Sequence, residues 1–402
     1  MTTTTNKEQK KLNVPNLRFP EFQGEWEELG LSELLDFKNG LNPKLDKFGK
    51  GIKFISVMDI LNNAVITYDC IKASVDVTEK ELSDFSVEKG DILFQRSSET
   101  LEDVGRANVY MDDKTAVFGG FVIRGKKKGE YDPQYFNYLL RSPFARKRIV
   151  PMGAGAQHFN IGQEGLSKVK LHFANIKEQK KIGKMFSLLD ERIATQNKII
   201  EDLKKLKSAI IEKEYSNKTK SFSRLGDFIE QISKRNKDRA IHNVLSVSNS
   251  QGFIQQSEQF ENRIVASDDT SNYKIVERNH FAFNPARINV GSIARLITFE
   301  KGIVSPMYIC FRTKDSLFPE YLGYYFESKQ FFIEIQKRLE GSVRQCLSFD
   351  GLCNIPLSIP MVEVQQQIGK RLSALVQKIK LETDFLELLQ KQKKFQLHQM
   401  FI

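Results

Sequence analysis

The chain has 402 residues with 40% apolar content, which excludes a wholly disordered protein and allows two or three domains that each bury a core. Its formal net charge of +11 favours contact with a polyanion such as nucleic acid. The four cysteines lack paired spacing, so neither a zinc knuckle nor a disulfide framework is indicated. No apolar run approaches the roughly 20 residues of a membrane span, and we expect a cytoplasmic protein without membrane contact.

The first half of the chain combines short β-rich segments with helices. A helix is predicted from Pro133, because proline suits the first helical turn. A glycine-rich loop and one further strand then lead into a long helix. We predict an α/β globule over residues 14–175 and a long helix over residues 176–214. The clearest predicted strands are Lys53 to Val57, Asp91 to Phe94 and Ala116 to Arg124.

The second half repeats the first. A step of 186 residues joins Gln179 to Gln365 and also Gly183 to Gly369, and it widens to 196 further upstream. "PQYFNYLLRSPFARKRI" in the first copy corresponds to "PEYLGYYFESKQFFIEI" in the second. The repeat predicts a linker over residues 215–222, a second globule over 223–360 and a second long helix over 361–402. Its strands are predicted at Asn243 to Val247, His280 to Phe283 and Met307 to Arg312.

Both long helices carry apolar residues at alternating steps of four and three, which is the period of a coiled coil. Polar residues interrupt both at equivalent places, Gln196 with Glu382 and Lys207 with Lys393. A parallel pair would oppose the two lysines in a dry seam, whereas an antiparallel pair separates them and lets Gln196 meet Glu382. We predict an antiparallel coiled coil whose interface contains Phe186, Leu189, Ile193, Gln196, Ile200, Leu203, Leu372, Leu375, Ile379, Glu382, Leu386 and Leu389.

Each long helix should extend roughly 50 Å at ~1.5 Å per residue. DNA-reading dimers place their modules about one helical turn apart, ~34 to 36 Å, or a multiple of it. The pair is therefore long enough to set the distance between two DNA readers. Dimerisation alone is the alternative use of such helices.

The sequence contains no P-loop, no dinucleotide-binding glycine loop, no H-E-x-x-H and no G-x-S-x-G. The five histidines have no metal-ligand spacing. We therefore predict no catalytic residue, no metal site and no cofactor in this chain. A self-sufficient methyltransferase is disfavoured because no cofactor-binding glycine loop is present.

Candidate DNA contacts are basic residues and loops that combine arginine with asparagine, glutamine or serine, since these side chains bind phosphates and base edges. The loops "QRSSETLEDVGR" and "NPARINVGS" are equivalent, as are "GAGAQHFN" and "GSVRQCLS", whose glycines permit close backbone approach to a ligand. Solvated loops without a ligand are the alternative. The predicted DNA-contacting residues are Gln95, Arg96, Ser97, Arg106, Lys126, Lys128, Arg146, Arg148, Gln157, His158, Asn160, Arg235, Lys237, Asn284, Arg287, Asn289, Arg344 and Gln345.

These passages resemble the specificity subunit of type I restriction-modification systems over nearly the whole chain. The resemblance rests on "LRFPEFQGEWEELGLSEL", "KGDILFQR", "GAGAQHFNIGQEGLSKVKL" and, above all, "EQKKIGKMFSLLDERI" with its second copy. Two departures are visible. Ile176 stands where the family usually has proline, and Glu363, Val364 and Gln365 replace the Glu-Gln pair of the second copy.

The resemblance implies two target-recognition domains that read the halves of a split double-stranded DNA target. It also implies two adenine methyltransferase subunits docked on the helices, with restriction subunits joining for cleavage. S-adenosylmethionine, ATP and Mg²⁺ would belong to those partners. Because the two globules differ in their loops, we expect an asymmetric target. The alternative is a basic coiled-coil adapter that joins proteins without reading DNA sequence.

Overall fold

The structure, a computed structural model, describes residues 12–216, 223–249, 251–256, 269–341 and 345–402. The chain forms two compact units. Unit 1 contains residues 1–197 and 384–402, and unit 2 contains residues 198–383. Each unit therefore combines one globule with part of each long helix. The first long helix is Ile176–Tyr215 and the second is Val362–Gln399. Most of the predicted linker over 215–222 lies outside the described residues.

Unit 1 is a mixed α/β globule built on two four-stranded sheets and two small two-stranded sheets. Its strands are Glu27–Gly30, Leu35–Asn39, Phe48–Ile55, Ser74–Val75, Ser86–Val87, Ile92–Gln95, Ser97–Ser98, Ala107–Val109, Ala116–Phe118, Val122–Lys127, Phe159–Asn160 and Lys170–Phe173. Its short helices are Leu31–Leu34, Val57–Asn62, Glu79–Phe85, Pro133–Arg141, Pro143–Ile149 and Gln163–Ser167.

The described residues of unit 2 form two four-stranded sheets and short helices. Its strands are Ile229–Ile232, Val244–Ser248, Gly252–Gln255, Lys274–Glu277, Phe281–Phe283, Ile293–Arg295, Lys301–Val304 and Ile309–Thr313. Its short helices are Pro319–Tyr325, Lys329–Gln336 and Phe349–Cys353.

The two units share one sheet topology. In each, one four-stranded sheet is antiparallel throughout, ordered Leu35–Asn39, Val122–Lys127, Ile92–Gln95, Ala107–Val109 in unit 1. The other sheet contains one parallel pair, Phe48–Ile55 with Ala116–Phe118 in unit 1 and Val244–Ser248 with Lys301–Val304 in unit 2. The predicted internal repeat is therefore a repeat of structure.

Two predicted elements of unit 1 divide in the structure. The strand predicted at Ala116 to Arg124 is interrupted at Gly119, where a Cβ would lie 2.6 Å from the Phe54 ring, so the chain turns there. The strand predicted to reach Val57 stops at Ile55, because Val57 begins a helix in which the Asp59 carboxylate accepts the Ser56 amide at 2.7 Å. Both differences arise from local close packing or capping.

The helix predicted from Pro133 begins there, after Asp132 accepts the Tyr135 amide, but it is followed by a second helix. Ser142 caps that second helix, and Ser328 does the same at the equivalent position of unit 2. The predicted strand before the first long helix is Lys170–Phe173. Within the described part of unit 2, the equivalent place has an isolated bridge between Arg224 and Pro356 instead of a strand.

A buried glutamine fastens each long helix to the globule beside its start. Gln179 donates to the Ala174 carbonyl at 2.8 Å and accepts the Asp132 amide at 2.9 Å. Gln365 makes equivalent bonds, donating to the Pro360 carbonyl and accepting the Phe318 amide, both at 2.8 Å. The repeated glutamine is therefore a two-sided clamp that satisfies backbone groups buried at the helix start.

The far end of each long helix enters the core of the other copy's globule. Phe401, just beyond the second helix, is 1% exposed and packs on Trp26, Tyr135 and Phe186 in unit 1. Tyr215 ends the first helix and packs on Tyr321 and Tyr325 in unit 2. Each globule is thus completed by a helix that begins in the other half of the sequence.

The helices run antiparallel within unit 1. There Phe186 contacts Phe401, Asp190 pairs with Lys393, and Arg192 lies over the Phe385 ring, so rising numbers on one helix meet falling numbers on the other. Unit 2 contains the complementary pair, Glu214 with Arg371 at 3.8 Å. The predicted antiparallel arrangement is confirmed.

Every predicted interface residue of the two helices is buried or half-buried, as a seam requires. Apolar residues outside the predicted seam, such as Leu188, Leu381 and Leu388, are exposed. Gln196 is buried and Glu382 is half-buried. The direct meeting of these two polar residues stays a prediction.

The interrupting lysines have a second role inside their own units. Lys393 lies 5.6 Å above the Tyr138 ring, and Lys207 lies 5.7 Å above the Tyr324 ring. Each also pairs with a carboxylate, Asp190 in unit 1 and Glu327 in unit 2. Each lysine therefore attaches its helix to the neighbouring globule, in addition to the role predicted for it in the antiparallel pair.

Candidate nucleic-acid interface

The structure brings the two predicted reading loops of unit 1 together. Strand Ser97–Ser98 of one loop pairs antiparallel with strand Phe159–Asn160 of the other. The Ser97 hydroxyl donates to the Asn160 side-chain oxygen. Gln157 and His158 sit at the exposed tip of the second loop. A small two-stranded ribbon therefore presents polar side chains from both loops on one surface.

Arg96 is the junction of this surface. Its amide donates to the Phe121 carbonyl at 2.9 Å, and its own carbonyl accepts the Ile161 amide at 2.9 Å. Its guanidinium donates to the Gly120 carbonyl at 3.4 Å and remains half-exposed. Three segments consequently meet at Arg96, which gives its side chain a defined position beside the ribbon.

Unit 2 repeats the arrangement with different side chains. A bridge joins Glu340 to Cys346, as one joins Ala154 to Asn160 in unit 1 at the same 186-residue step. The Leu347 amide donates to the Pro285 carbonyl at 3.0 Å, which connects the two loops of this unit. Gln345 is exposed, whereas predicted Arg344 lies outside the described residues.

The loop glycines have an intramolecular reason. Gly155 has φ of 145° and its equivalent Gly341 has φ of 107°, conformations that disfavour a side chain. A Cβ on Gly155 would lie 2.0 Å from the His158 carbonyl oxygen of the same loop. The glycine conformation therefore closes the loop itself, and close backbone approach to a ligand stays a prediction.

Two predicted base-reading residues are buried, which contradicts their placement as surface contacts. Gln95 is 5% exposed and donates to the Ser97 carbonyl at 2.9 Å. Asn284 is 6% exposed and accepts the Ala286 amide at 3.1 Å. Each ends a strand and bonds the chain two residues further on, so both shape the start of a reading loop.

Several predicted cations are matched by acidic side chains of the same globule. Four exposed pairs hold predicted residues of unit 1, namely Arg106 with Asp103, Lys126 with Glu88, Lys128 with Asp36 and Arg148 with Glu28. Such exposed pairs contribute little to stability and yield easily to a competing phosphate. Arg146, another predicted DNA contact, differs from these residues because its guanidinium points inward and donates to the carbonyls of Glu102 and Val104.

The basic residues of unit 2 lie on separate loops. Arg235 donates to the Asn272 side chain at 3.0 Å, and Lys237 two residues on is exposed. Arg287 is exposed beside the short helix Ile288–Val290, where Asn289 is half-buried. The structure leaves Arg235, Lys237 and Arg287 open to solvent, so the DNA contacts predicted for them stay predictions.

Sequence reasoning missed an exposed apolar residue in each unit. Phe121 is 68% exposed on the turn whose carbonyl accepts the Arg96 amide. Met307, 57% exposed, occupies the equivalent position 186 residues later. A signal existed in the sequence, since "GGF" and "SPM" both place a large apolar residue directly after a turn. Apolar side chains at such a surface can contact thymine methyl groups.

The described residues contain no group of three or more histidine, cysteine, aspartate or glutamate side chains placed to hold a metal ion. Searching the same residues shows no helix with the length and apolar content that crossing a bilayer requires.

Comparison with known proteins gives the same organisation. A family model described as the type I restriction modification DNA specificity domain matches the chain twice, at residues 23–205 and 217–391. The "Putative type I restriction enzyme MjaX specificity subunit" of Methanocaldococcus jannaschii is 24% identical, across 96% of this chain and 95% of that protein.

Two solved structures share the fold. The type I restriction-modification S subunit from M. genitalium has a TM-score of 0.59 at 16% identity, covering 97% of this chain and 99% of that one. A chain from a structure of complex assembly and conformational transition in a type I system has a TM-score of 0.55 at 12% identity, covering 92% of this chain and 96% of that one. Because the family model spans most of the sequence in two copies, the chain belongs to the type I restriction-modification DNA specificity family, whose members are DNA-binding specificity subunits with two target-recognition domains.

Proposed function

We propose that the two globules read the two halves of an asymmetric, bipartite double-stranded DNA target. One observation carries the proposal: the reading loops of the two units share a backbone bridge and a loop-to-loop amide bond at equivalent positions, but they carry different side chains. In unit 1 the ribbon carries Ser97, Gln157, His158 and Asn160, whereas the equivalent loops of unit 2 carry Arg287, Asn289 and Gln345. Different side chains on one framework are suited to different base sequences.

The long helices have two parts in this proposal. Their length, about 1.5 Å per residue over 40 and 38 residues, sets the separation of the two half-sites. They also carry the docking surfaces for two adenine methyltransferase subunits, to which restriction subunits add. Exposed apolar side chains support the docking role, since such surfaces are typical of protein contacts: Leu188, Leu388 and Phe395 in unit 1, and Leu206 and Leu381 in unit 2.

The chain itself supplies recognition and no catalytic group. S-adenosylmethionine, ATP and Mg²⁺ are then held by the methyltransferase and restriction partners. Such a complex acts on DNA in the cytoplasm, where we place the protein.

The test is adenine methylation mapped by single-molecule sequencing, in cells that express this chain with its methyltransferase subunit and in cells that express that subunit alone. We expect a split, non-palindromic motif only when this chain is present. Identical methylomes from cells in which the two proteins still co-purify would instead support the adapter without DNA reading.

Docking has its own test. Leu388→Glu places a charge on the exposed face of the second long helix and should abolish co-purification with the methyltransferase subunit. Gln390→Glu, which adds the same charge at an exposed residue on a different face of the same helix, is the matched control. Retention of the subunit by Leu388→Glu would contradict docking on this face.

A further inference from the structure

A basic cavity lies beside the reading loops of unit 1. Its volume is about 820 Å³, and its walls include Arg106, Arg141, Arg146 and Lys147. Among the described residues that line it, Glu102 is the one carboxylate. Four cationic side chains thus line the cavity against one lining carboxylate, and Arg106 also pairs with Asp103 beside it at 2.6 Å.

Two of these cations lack an acidic partner among the described residues. Arg141 donates to the Asn63 carbonyl at 3.3 Å, and Arg146 donates to the Glu102 and Val104 carbonyls at 2.8 and 2.6 Å. Neither guanidinium has a carboxylate within 4.0 Å in the described chain, and the buried Arg146 Nη1 has no hydrogen-bond partner there. A buried donor and positive charge left in this state are costly.

The charges also act on one another. Burial, reinforced by the nearby positive charge of Arg106 and opposed by Asp103, lowers the pKa of Arg146 to about 10. Burial likewise lowers the pKa of Arg141. An anion in the cavity would relieve both effects, because it would pair with the guanidinium groups and offset their mutual repulsion.

The position of the cavity identifies the anion. Glu102 and Arg106 belong to the first reading loop, and Val150 and Pro151 lead into the second. The two strands of the ribbon, Ser97–Ser98 and Phe159–Asn160, are therefore continuous with the two chain segments that line the cavity. The anionic groups of a duplex bound at the ribbon are its backbone phosphates.

Unit 2 has no cation at the equivalent positions, all of which lie in its described part. The 186-residue step places Ser292 at Arg106, Glu327 at Arg141, Phe332 at Arg146 and Ile333 at Lys147. Ser292 is buried, Glu327 pairs with Lys207, and Phe332 and Ile333 are 52% and 48% exposed. The cationic cavity is therefore a property of the first globule and not of the repeated framework.

We propose that the Arg106, Arg141 and Arg146 cavity of unit 1 holds one DNA backbone phosphate and anchors the first half-target, with no counterpart at the second. The proposal rests on the proposed DNA reading and names the group that fixes the first globule on the duplex. Planar guanidinium groups suit it, because they can bind a phosphate through two parallel hydrogen bonds.

The test uses the full chain assembled with its methyltransferase subunit. Arg141→Met removes one charge but keeps the volume of the side chain, and Arg106→Gln removes an exposed charge without disturbing the buried wall. Lys89→Met, at an exposed lysine paired with Asp113 away from the cavity, is the control for loss of one charge. Thermal melting verifies that each variant is folded.

Affinity for target and non-target duplexes is measured over a range of salt concentrations. We expect Arg141→Met and Arg106→Gln to weaken both duplexes equally, on the order of tenfold, and to reduce the salt slope by about 1. Lys89→Met should leave both quantities unchanged. Equal slopes for Arg141→Met, Arg106→Gln and the unaltered chain would overturn the proposal.

Methylphosphonate substitution then locates the phosphate. In the unaltered complex, one neutralised phosphate in the first half-target should weaken binding on the order of tenfold, and the same substitution should have no further effect in Arg141→Met. Additive losses at every phosphate would overturn the assignment.

Further outcomes distinguish other occupants. Inorganic phosphate titrated by phosphorus NMR should not bind at this cavity when saturating DNA is present; binding that persists there and disappears in Arg141→Met would assign the cavity to free phosphate. Loss of the methyltransferase subunit from Arg141→Met, with an unchanged salt slope, would assign it to a protein carboxylate. If the unaltered chain has no sequence preference, the proposed function fails, while the salt slopes on any duplex still report on the cavity.

Discussion

The two units differ most at the places where their long helices begin. In unit 1 the Arg18 guanidinium forms two bonds of 2.7 Å with the Glu178 carboxylate, which is fully buried. In unit 2 the equivalent position is Val364, which packs at the edge of the apolar core. The same backbone junction is therefore stabilised by a buried ion pair in one copy and by apolar packing in the other.

The difference separates what the framework requires from what each copy adds. Both copies keep the glutamine clamp, the glycine one turn later and the lysine that meets a tyrosine ring. The second short helix of each globule shows the opposite behaviour, since it is basic at Pro143–Ile149 and apolar with one glutamate at Lys329–Gln336. Residues whose side chains bond or fit against the backbone are the same in both copies. Residues that face the solvent or a local neighbour differ between the copies.

The largest effect is expected from breaking the Arg18–Glu178 ion pair, which unit 1 has at the start of its long helix. Arg18→Ala leaves the Glu178 carboxylate buried without its partner and should cost about 3–5 kcal/mol. Native-state hydrogen exchange of the amides in unit 1 measures this loss. The double variant Arg18→Ala, Glu178→Val replaces the ion pair with the apolar packing found in unit 2 and should recover much of the stability. A double variant as unstable as Arg18→Ala would show that the charge is not the cause.

The second effect concerns the helix seam. Leu389 is 4% exposed in unit 1, and Leu389→Ala should lower the free energy of unfolding by about 2–5 kcal/mol through lost burial and a cavity. Leu388, its neighbour, is 62% exposed, so Leu388→Ala should change the same quantity by less than about 0.5 kcal/mol. Urea unfolding followed by circular dichroism compares the two, and equal losses would contradict the seam.

The third effect sharpens the comparison at one repeated glycine. A Cβ on Gly183 would lie 2.7 Å from Asp132 Oδ1 and 2.9 Å from the Tyr135 amide, which together form a helix cap. At Gly369 the nearest atom is Glu320 Oε2 at 3.1 Å, the end of a flexible side chain. Gly183→Ala should therefore cost about 1–3 kcal/mol.

Gly369→Ala is the matched variant of unit 2. There the Glu320 carboxylate, bonded to Arg295 and Ser373, needs to move by only a few tenths of an ångström, and the better helix propensity of alanine offsets roughly 1 kcal/mol of any loss. We expect a change within about 1 kcal/mol, measured by the same urea unfolding. Equal destabilisation by both variants would mean that the two helix starts are equally close to their globules.

Much of the framework could be predicted because it has a strong period. The seam spacing gave both long helices and their antiparallel sense, and the 186-residue step identified the second copy. The break at Gly119 could not be predicted, because it depends on contact with the Phe54 ring, which lies far away in the sequence. The helix start at Val57 had a local signal, since Ser56 and Asp59 form the Ser-x-x-Asp pattern of a helix cap.

The candidate site was predictable as loops but not as side chains. The loops that contain Arg96 and Asn160 are both recognisable in the sequence, and the structure pairs them, yet Gln95 and Asn284 are buried. Asparagine and glutamine can bind bases and can also close turns. Which of the two roles such a residue has depends on how the preceding strand places its side chain. The place of Arg141 in a cavity depends on helix packing that the sequence does not specify.

The smallest expected effect compares the two lysine anchors. The Lys393 and Asp190 side chains are 23% and 17% exposed, whereas those of Lys207 and Glu327 are 20% and 46% exposed. Water screens the second pair more strongly, so Lys393→Met should cost about 1 kcal/mol and Lys207→Met roughly half of that. Methionine keeps the contact with Tyr138 or Tyr324 and removes only the charge. Hydrogen exchange in each unit measures the two losses, and a larger loss at Lys207 would mean that the ring contact, rather than the carboxylate, sets the strength of the anchor.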